Sequence, residues 1–119
     1  MTKDESYTDL GVVRIHKNVV ASIAAIACME IQGVKRVGGN FKSGLFEFIG
    51  KKAAMAIKVE FDKRNSDEVK VDIPLVIKYG FNIPEVAGRA QESVRLALEK
   101  MTNLLIKDIN ISVQGIEKE

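Results

Sequence analysis

V-K-V-D-I-P-L-V-I-K-Y, residues 69–79, decides the fold. Val69, Val71, Ile73, Leu75, Ile77 and Tyr79 alternate with Lys70, Asp72, Pro74, Val76 and Lys78, the period of two that sends side chains to opposite faces of a strand. One face is wholly apolar and needs cover. Pro74 cannot donate a ladder hydrogen bond, so the strand lies at an edge, is bulged, or is unpaired on one side at that point. Y-G-F-N-I-P, residues 79–84, then turns the chain, with Gly80 free to take unusual dihedrals and Pro84 suited to a first helical turn. From Glu85 to Thr102, Val86, Ala87, Ala90, Val94, Ala97, Leu98 and Met101 make an apolar stripe opposed by Arg89, Glu92, Arg95 and Glu99. That pattern predicts an amphipathic helix able to cover the strand.

Upstream, residues 51–61 show the same alternation, with Met55, Ile57, Val59 and Phe61 on one side. D-K-R-N-S-D, residues 62–67, is a turn, so the two strands are expected to form a hairpin. G-V-V-R-I at 11–15 predicts a short strand that runs into a helix over 17–32. There Val19, Val20, Ile23, Ala24, Ala27 and Ile31 recur at helical spacing and Gly33 serves as the C-cap. Residues 34–37 read as a second short strand, and Ser43 can cap a short helix through Gly50. Downstream, Leu104 and Ile106, then Ile109, Ile111 and Val113, form a terminal strand whose phase slips between Ile106 and Ile109, as a bulge would produce. The expected fold is α+β, a two-layer sandwich with two amphipathic helices on one face of a mixed sheet. Its expected order is β-α-β-(short α)-β-β-α-β. Residues 1–10 are expected to be a flexible tail and 11–119 a single domain.

A chain of 119 residues with 46% apolar and 29% charged side chains and two prolines is an ordinary globular composition, large enough to bury a core without staples. The polar, acidic start lacks the basic and apolar segments of a secretory signal, and no apolar run approaches the roughly 18–20 residues needed to span a bilayer. A cytoplasmic protein is expected. Cys28, the single cysteine, has no disulfide partner and is expected to be a small core residue of the first helix.

One histidine and one cysteine provide neither a triad nor a zinc ligand set, and His16 reads as a solvated residue at a helix start. The carboxylates occur singly on strand and helix faces, apart from Asp67 and Glu68 in a turn, with no pair arranged for acid and base work. G-L-F-E-F-I-G-K-K at 44–52 fails as a phosphate loop. It has five residues between its glycines and Lys52 where a hydroxyl should hold magnesium. I-G-K-K-A at 49–53 likewise lacks the second glycine of a G-x-x-G RNA-binding loop. No enzyme, cofactor or metal is expected.

The charge is uneven. Residues 34–52 hold five cations, Lys35, Arg36, Lys42, Lys51 and Lys52, against one acid, Glu47. Phe41, Leu45, Phe46, Phe48 and Ile49 are interleaved with them. The candidate interaction surface is therefore Lys35, Arg36, Phe41, Lys42, Phe46, Phe48, Lys51 and Lys52. It suits a protein partner or, as the alternative, an anionic lipid surface or RNA. Against this stands the plain reading that the aromatic rings cover the sheet end and the lysines solvate it. A second candidate surface is the outer sheet face with Ala54, Ala56, Pro74 and Val76, which could support self-association.

The chain resembles the alkaline shock protein family of envelope stress response proteins over residues 11–116. The resemblance is carried by G-V-V-R-I at 11–15, E-I-Q-G-V at 30–34, V-D-I-P-L-V-I-K-Y-G at 71–80, N-I-P-E-V-A at 82–87 and I-N-I-S-V-Q-G-I at 109–116, in that order and spacing. It implies a non-enzymatic bacterial cytoplasmic protein concerned with envelope homeostasis and stress, without catalytic residues to carry over. It also implies a protein partner, either an integral membrane anchor that holds the chain at the membrane or a protein of lipid metabolism, together with homo-oligomers. Nucleic acid is not an expected partner. His16 stands where relatives more often carry a capping Ser or Asp. The short chain is similar to the small housekeeping members of the family.

Overall fold

The computed structural model describes residues 5–8, 11–14, 16–38, 55–64 and 68–118, the first two segments as backbone alone. Strands β1 (Glu5–Thr8) and β2 (Gly11–Arg14) pair antiparallel as a separate two-stranded sheet. Then come helix α1 (Lys17–Met29), strands β3 (Val34–Val37), β4 (Lys58–Phe61) and β5 (Glu68–Lys78), helix α2 (Ile83–Met101) and strand β6 (Leu105–Glu117). The architecture is the expected α+β sandwich, with both helices on one face of a mixed sheet. Glu5–Thr8, inside the expected tail, is instead a strand. The short helix expected over 43–50 lies outside the described residues.

β5 is the central strand. Along one edge it runs parallel to β6 over its whole length, the connection that a crossover through α2 produces. Its other edge is shared: β4 pairs antiparallel with residues 69–72, and β3 pairs antiparallel with residues 75–77. Pro74 sits where one partner has ended and the other has not begun, so its missing N–H disrupts no ladder, while its carbonyl accepts from Gly38 N at 2.8 Å. The same arrangement shortens β4. Extending it upstream in register would set Ala56 against Pro74 and Met55 against Leu75, which β3 already occupies. The strand expected from residue 51 thus begins at Lys58, and Met55 has helical backbone and an exposed side chain.

β6 contains the expected bulge. Ile106 pairs with Val69 and Asp108 with Lys70, so Lys107 is the extra residue that returns Ile109 to the buried face. A second bulge at Gln114, between Val113 and Gly115, was not expected from the sequence. β5 ends at Lys78, so Tyr79 turns outward and is exposed, contrary to the alternation read for it.

The core joins Val69, Val71, Ile73, Leu75 and Ile77 of β5 to Val86, Ala90, Val94 and Leu98 of α2 and to Val20, Ala24, Ala27 and Cys28 of α1. On α2, Asn82 Oδ1 caps the first turn by accepting from Glu85 N at 2.9 Å, and the stripe falls inward as expected except for Met101, which is exposed at the last residue. The helices run antiparallel: Gly33, after α1, lies against Val86 near the start of α2, and Ser93 Oγ donates to the Ala27 carbonyl. α1 is shorter than expected. It ends at Met29 with Glu30 still in right-handed backbone, and Gly33, at φ +104°, belongs to the following turn and not to the cap.

α1 turns most of its expected stripe inward, with Val20, Ala24 and Ala27 buried and Ile23 and Ile31 packed against the core, but Val19 is left outside. Val20, Ala21, Ala24, Ala25, Ala27 and Cys28 are buried, whereas Val19, Ile26 and Met29 are exposed and Ile23 is half-buried. The helix carries no charge between Lys17 and Glu30, so nothing in its spacing marks the limit of the buried side. Alanines, Cys28 and Val20 face inward, where α1 packs closely, while Val19, Ile26 and Met29 are left outside.

Candidate interaction surface

Of the candidate surface read from the sequence, Lys35 and Arg36 lie on β3, while Phe41, Lys42, Phe46, Phe48, Lys51 and Lys52 lie outside the described residues. Both described cations are engaged within the fold. Arg36 makes a bidentate pair with Glu117 of β6, Nη1 to Oε1 at 2.6 Å and Nη2 to Oε2 at 2.7 Å, and Lys35 Nζ donates to the Lys118 carbonyl at 3.2 Å. The pair spans β5. Arg36 is opposite Val76, which is opposite Gly115, and the bulge at Gln114 sets Gly115 and Glu117 on the face that Arg36 occupies. Lys118 Nζ stands 5.8 Å from the Tyr79 ring centroid, a cation–π contact at the same end of the sheet.

The hydrogen bonds from Arg36, reinforced by its charge, hold the Glu117 carboxyl below the ordinary carboxylate range. A carboxyl depressed on folding stabilises the protein above its unfolded pKa, and that contribution is lost as pH falls through the depressed value. The two side chains remain 24% and 34% exposed, which limits the pair's worth. Glu117→Gln is expected to cost on the order of 1 kcal/mol or less at pH 7. Its difference from wild type should shrink toward zero as the pH falls below the ordinary carboxylate range and through the depressed Glu117 titration. Urea unfolding at neutral and at acidic pH reads both effects.

The second candidate surface, on the outer sheet face, is not assembled as expected. Val76 is fully buried, Pro74 is half-buried, Ala56 precedes β4, and Ala54 lies outside the described residues. At the β4–β5 turn, Glu60, Phe61, Asp62, Glu68, Lys70 and Lys107 line a depression of about 170 Å³. Lys107, the bulge residue, sits 3.7 Å from Asp62 and 3.8 Å from Glu68, so the charges there answer one another. Among the described residues no group of three or more His, Cys, Asp or Glu is placed to hold a metal ion. Cys28 is buried as expected, and burial pushes its thiol up to about 12, leaving it protonated and unreactive at neutral pH. His16 is exposed as the N-cap residue of α1 and makes no side-chain cap bond. No helix among the described residues is long and apolar enough to cross a membrane.

The surface that sequence reasoning missed is the outer side of α1. Val19 is 46% exposed, Ile26 62% and Met29 48%, with Ser22 and the half-buried Ile23 among them. These positions recur at three- and four-residue spacing along one side of the helix. The available signal was the absence of any charged residue between Lys17 and Glu30. A helix of that composition exposes apolar surface wherever one side is left uncovered.

Comparison with known proteins sets this geometry among relatives. The chain is 38% identical over 115 residues to protein YqhY of Bacillus subtilis (strain 168), covering 96% of this chain and 83% of that one. It is 26% identical over 115 residues to protein YloU of the same organism, covering 94% and 93%. Among solved structures, a variant of the MamM CTD superposes with a TM-score of 0.52 at 13% identity, covering 85% of this chain and 99% of that one, a likeness of fold alone. The pattern of the alkaline shock protein 23 family, described as having a cell envelope-related function, matches residues 5–118. With that match spanning β1 to β6, the chain belongs to the alkaline shock protein 23 family.

Proposed function

We propose that this chain is a non-catalytic interaction module of the cell envelope, working by self-association and by docking to a protein partner that brings it to the membrane. The observation that carries this reading is the orientation of α1, which buries Val20, its alanines and Cys28 while presenting Val19, Ile26 and Met29 to solvent. Apolar side chains set together on the outside of a helix form the kind of contiguous patch that marks contact sites. Membership of a family with a cell envelope-related function supports the same reading. The partner classes implied by the resemblance are an integral membrane anchor and a protein of lipid metabolism. Direct binding of anionic lipid or RNA through residues 35–52 finds less support, because Lys35 and Arg36 are engaged with the end of β6.

Docking through the aromatic residues of the candidate surface read from the sequence is tested by affinity purification of the full chain from an extract of its host, set beside the Phe46→Ala, Phe48→Ala double variant. Loss of a co-purifying protein from the double variant is the expected result. An unchanged set of partners would remove residues 41–48 from the docking surface.

A further inference from the structure

The electrostatics of the two helices differ in a way that bears on what covers α1. α2 is compensated within the chain, with an Asn82 cap, Glu85 in its first turn and Lys100 in its last. α1 has no acidic residue in its first turn, no basic residue in its last and no side-chain cap bond. Its charges are reversed with respect to the helix dipole, Lys17 at the positive end and Glu30 at the negative end. The antiparallel α2 adds no net charge at either end, since Glu99 and Lys100 both lie toward the Lys17 end of the helical layer and the ion-paired Glu85 and Arg89 both lie toward the Glu30 end.

We infer that the outer face of α1 is the docking site for a second copy of this chain, the two α1 helices lying antiparallel about a two-fold axis near Ser22 and Ile23. This arrangement rests on the reading of the chain as a self-associating module. It sets Val19 of each copy opposite Ile26 of the other, with Ser22 and Ile23 at the centre, so the exposed aliphatic side chains meet one another. It also brings each Glu30 to the N-terminal N–H groups of the opposing α1, and each Lys17 toward the opposing C-terminal carbonyls. Both ends of the helix are thereby compensated, and both are compensated twice, because a two-fold contact is isologous. A parallel pair would place like ends together.

By the register of the helical layer, Leu96, 56% exposed on α2, lies level with Ile23 and Ala24 and extends the apolar area sideways. A helix of 13 residues is about 20 Å long. Two such stripes with that flank bury less than the roughly 800 Å² per partner of a standard interface. The dimer is therefore weak and concentration-dependent.

Sedimentation velocity of the full chain over a rising concentration series is expected to show a shift from monomer to dimer. Ile26→Glu should raise the dissociation constant at least about tenfold, because it sets a carboxylate inside an apolar contact. Circular dichroism of the same variant should be unchanged, since Ile26 is exposed in the single chain. Orientation is read by oxidative cross-linking, for which the buried, protonated Cys28 does not compete. A mixture of Val19→Cys and Ile26→Cys chains should form the mixed disulfide. Neither variant alone should cross-link, because about seven residues of helix offset separate the like positions by roughly 10 Å, beyond the reach of a disulfide. A wild-type chain that stays monomeric throughout would overturn both this contact and the self-association reading. A dimer indifferent to Ile26→Glu would overturn the contact while leaving self-association standing. Cross-linking of like positions alone would overturn the antiparallel arrangement.

Discussion

Gly33→Ala is expected to lower the stability of the folded chain by about 3 kcal/mol, a large share of the roughly 5–15 kcal/mol that holds a domain together. Two costs combine. Gly33 has φ +104°, a conformation that L side chains rarely adopt, which costs of order 1–3 kcal/mol. A Cβ there would lie 2.8 Å from Val86 Cγ2 and 2.9 Å from Phe81 Cδ2, forcing the start of α2 and the turn before it to give way. Gly80→Ala separates the two costs. Gly80 has a similar φ of +96°, but a Cβ there meets nothing within 4 Å, so only the backbone cost applies. Urea unfolding should show a lowered midpoint at an unchanged slope for both variants, with the larger loss at Gly33. Equal losses would show that the contact with α2 relaxes without cost.

Ile73→Ala is expected to cost about 3 kcal/mol, within the range of roughly 2–5 kcal/mol for truncating a fully buried isoleucine. Ile73 is 0% exposed, and it lies in the middle of β5 on the face that both helices cover. The cavity cannot easily collapse, because β6 pairs along all of β5 on one side while β3 and β4 hold its two halves on the other. Ile26→Ala is the contrast. With the side chain 62% exposed, its effect on the unfolding of the single chain should stay within about 0.5 kcal/mol. A large effect at Ile26 and a small one at Ile73 would reverse the inside and outside assigned to the helical layer. Thermal or urea unfolding of the two variants at low protein concentration makes the comparison.

Much of this fold is legible in local pattern. The alternation in β5, the proline at the start of α2 and the phase slip between Ile106 and Ile109 each act within a few residues, and the structure has each of them in place. The features that were not legible depend on distant parts of the chain. β4 stops at Lys58 because β3 occupies the next stretch of the β5 edge, and nothing in residues 51–61 reports that competition. Tyr79 continues the apolar alternation of β5, yet the strand has already ended. Arg36 reads as a surface cation in a basic stretch, but its partner Glu117 lies 81 residues away and reaches it across β5 beyond a bulge at Gln114. Of the basic and aromatic stretch from 35 to 52, the described residues reach only to Gly38.

What the sequence by itself determined is the two main helices, the strands around them, their class and the apolar side of α2 and β5, because polar and charged residues at the intervening positions mark the side that must stay in water. α1 carries no such mark between Lys17 and Glu30, so its spacing placed Val20, Ala24 and Ala27 inward but misplaced Val19, and packing decided where its covered side ends. The sheet and α2 cover the side that carries Val20, the alanines and Cys28, which left Val19, Ile26 and Met29 outside. The surface on which the proposed function rests was therefore fixed by which side of α1 is covered, and that is settled only once the layers have met.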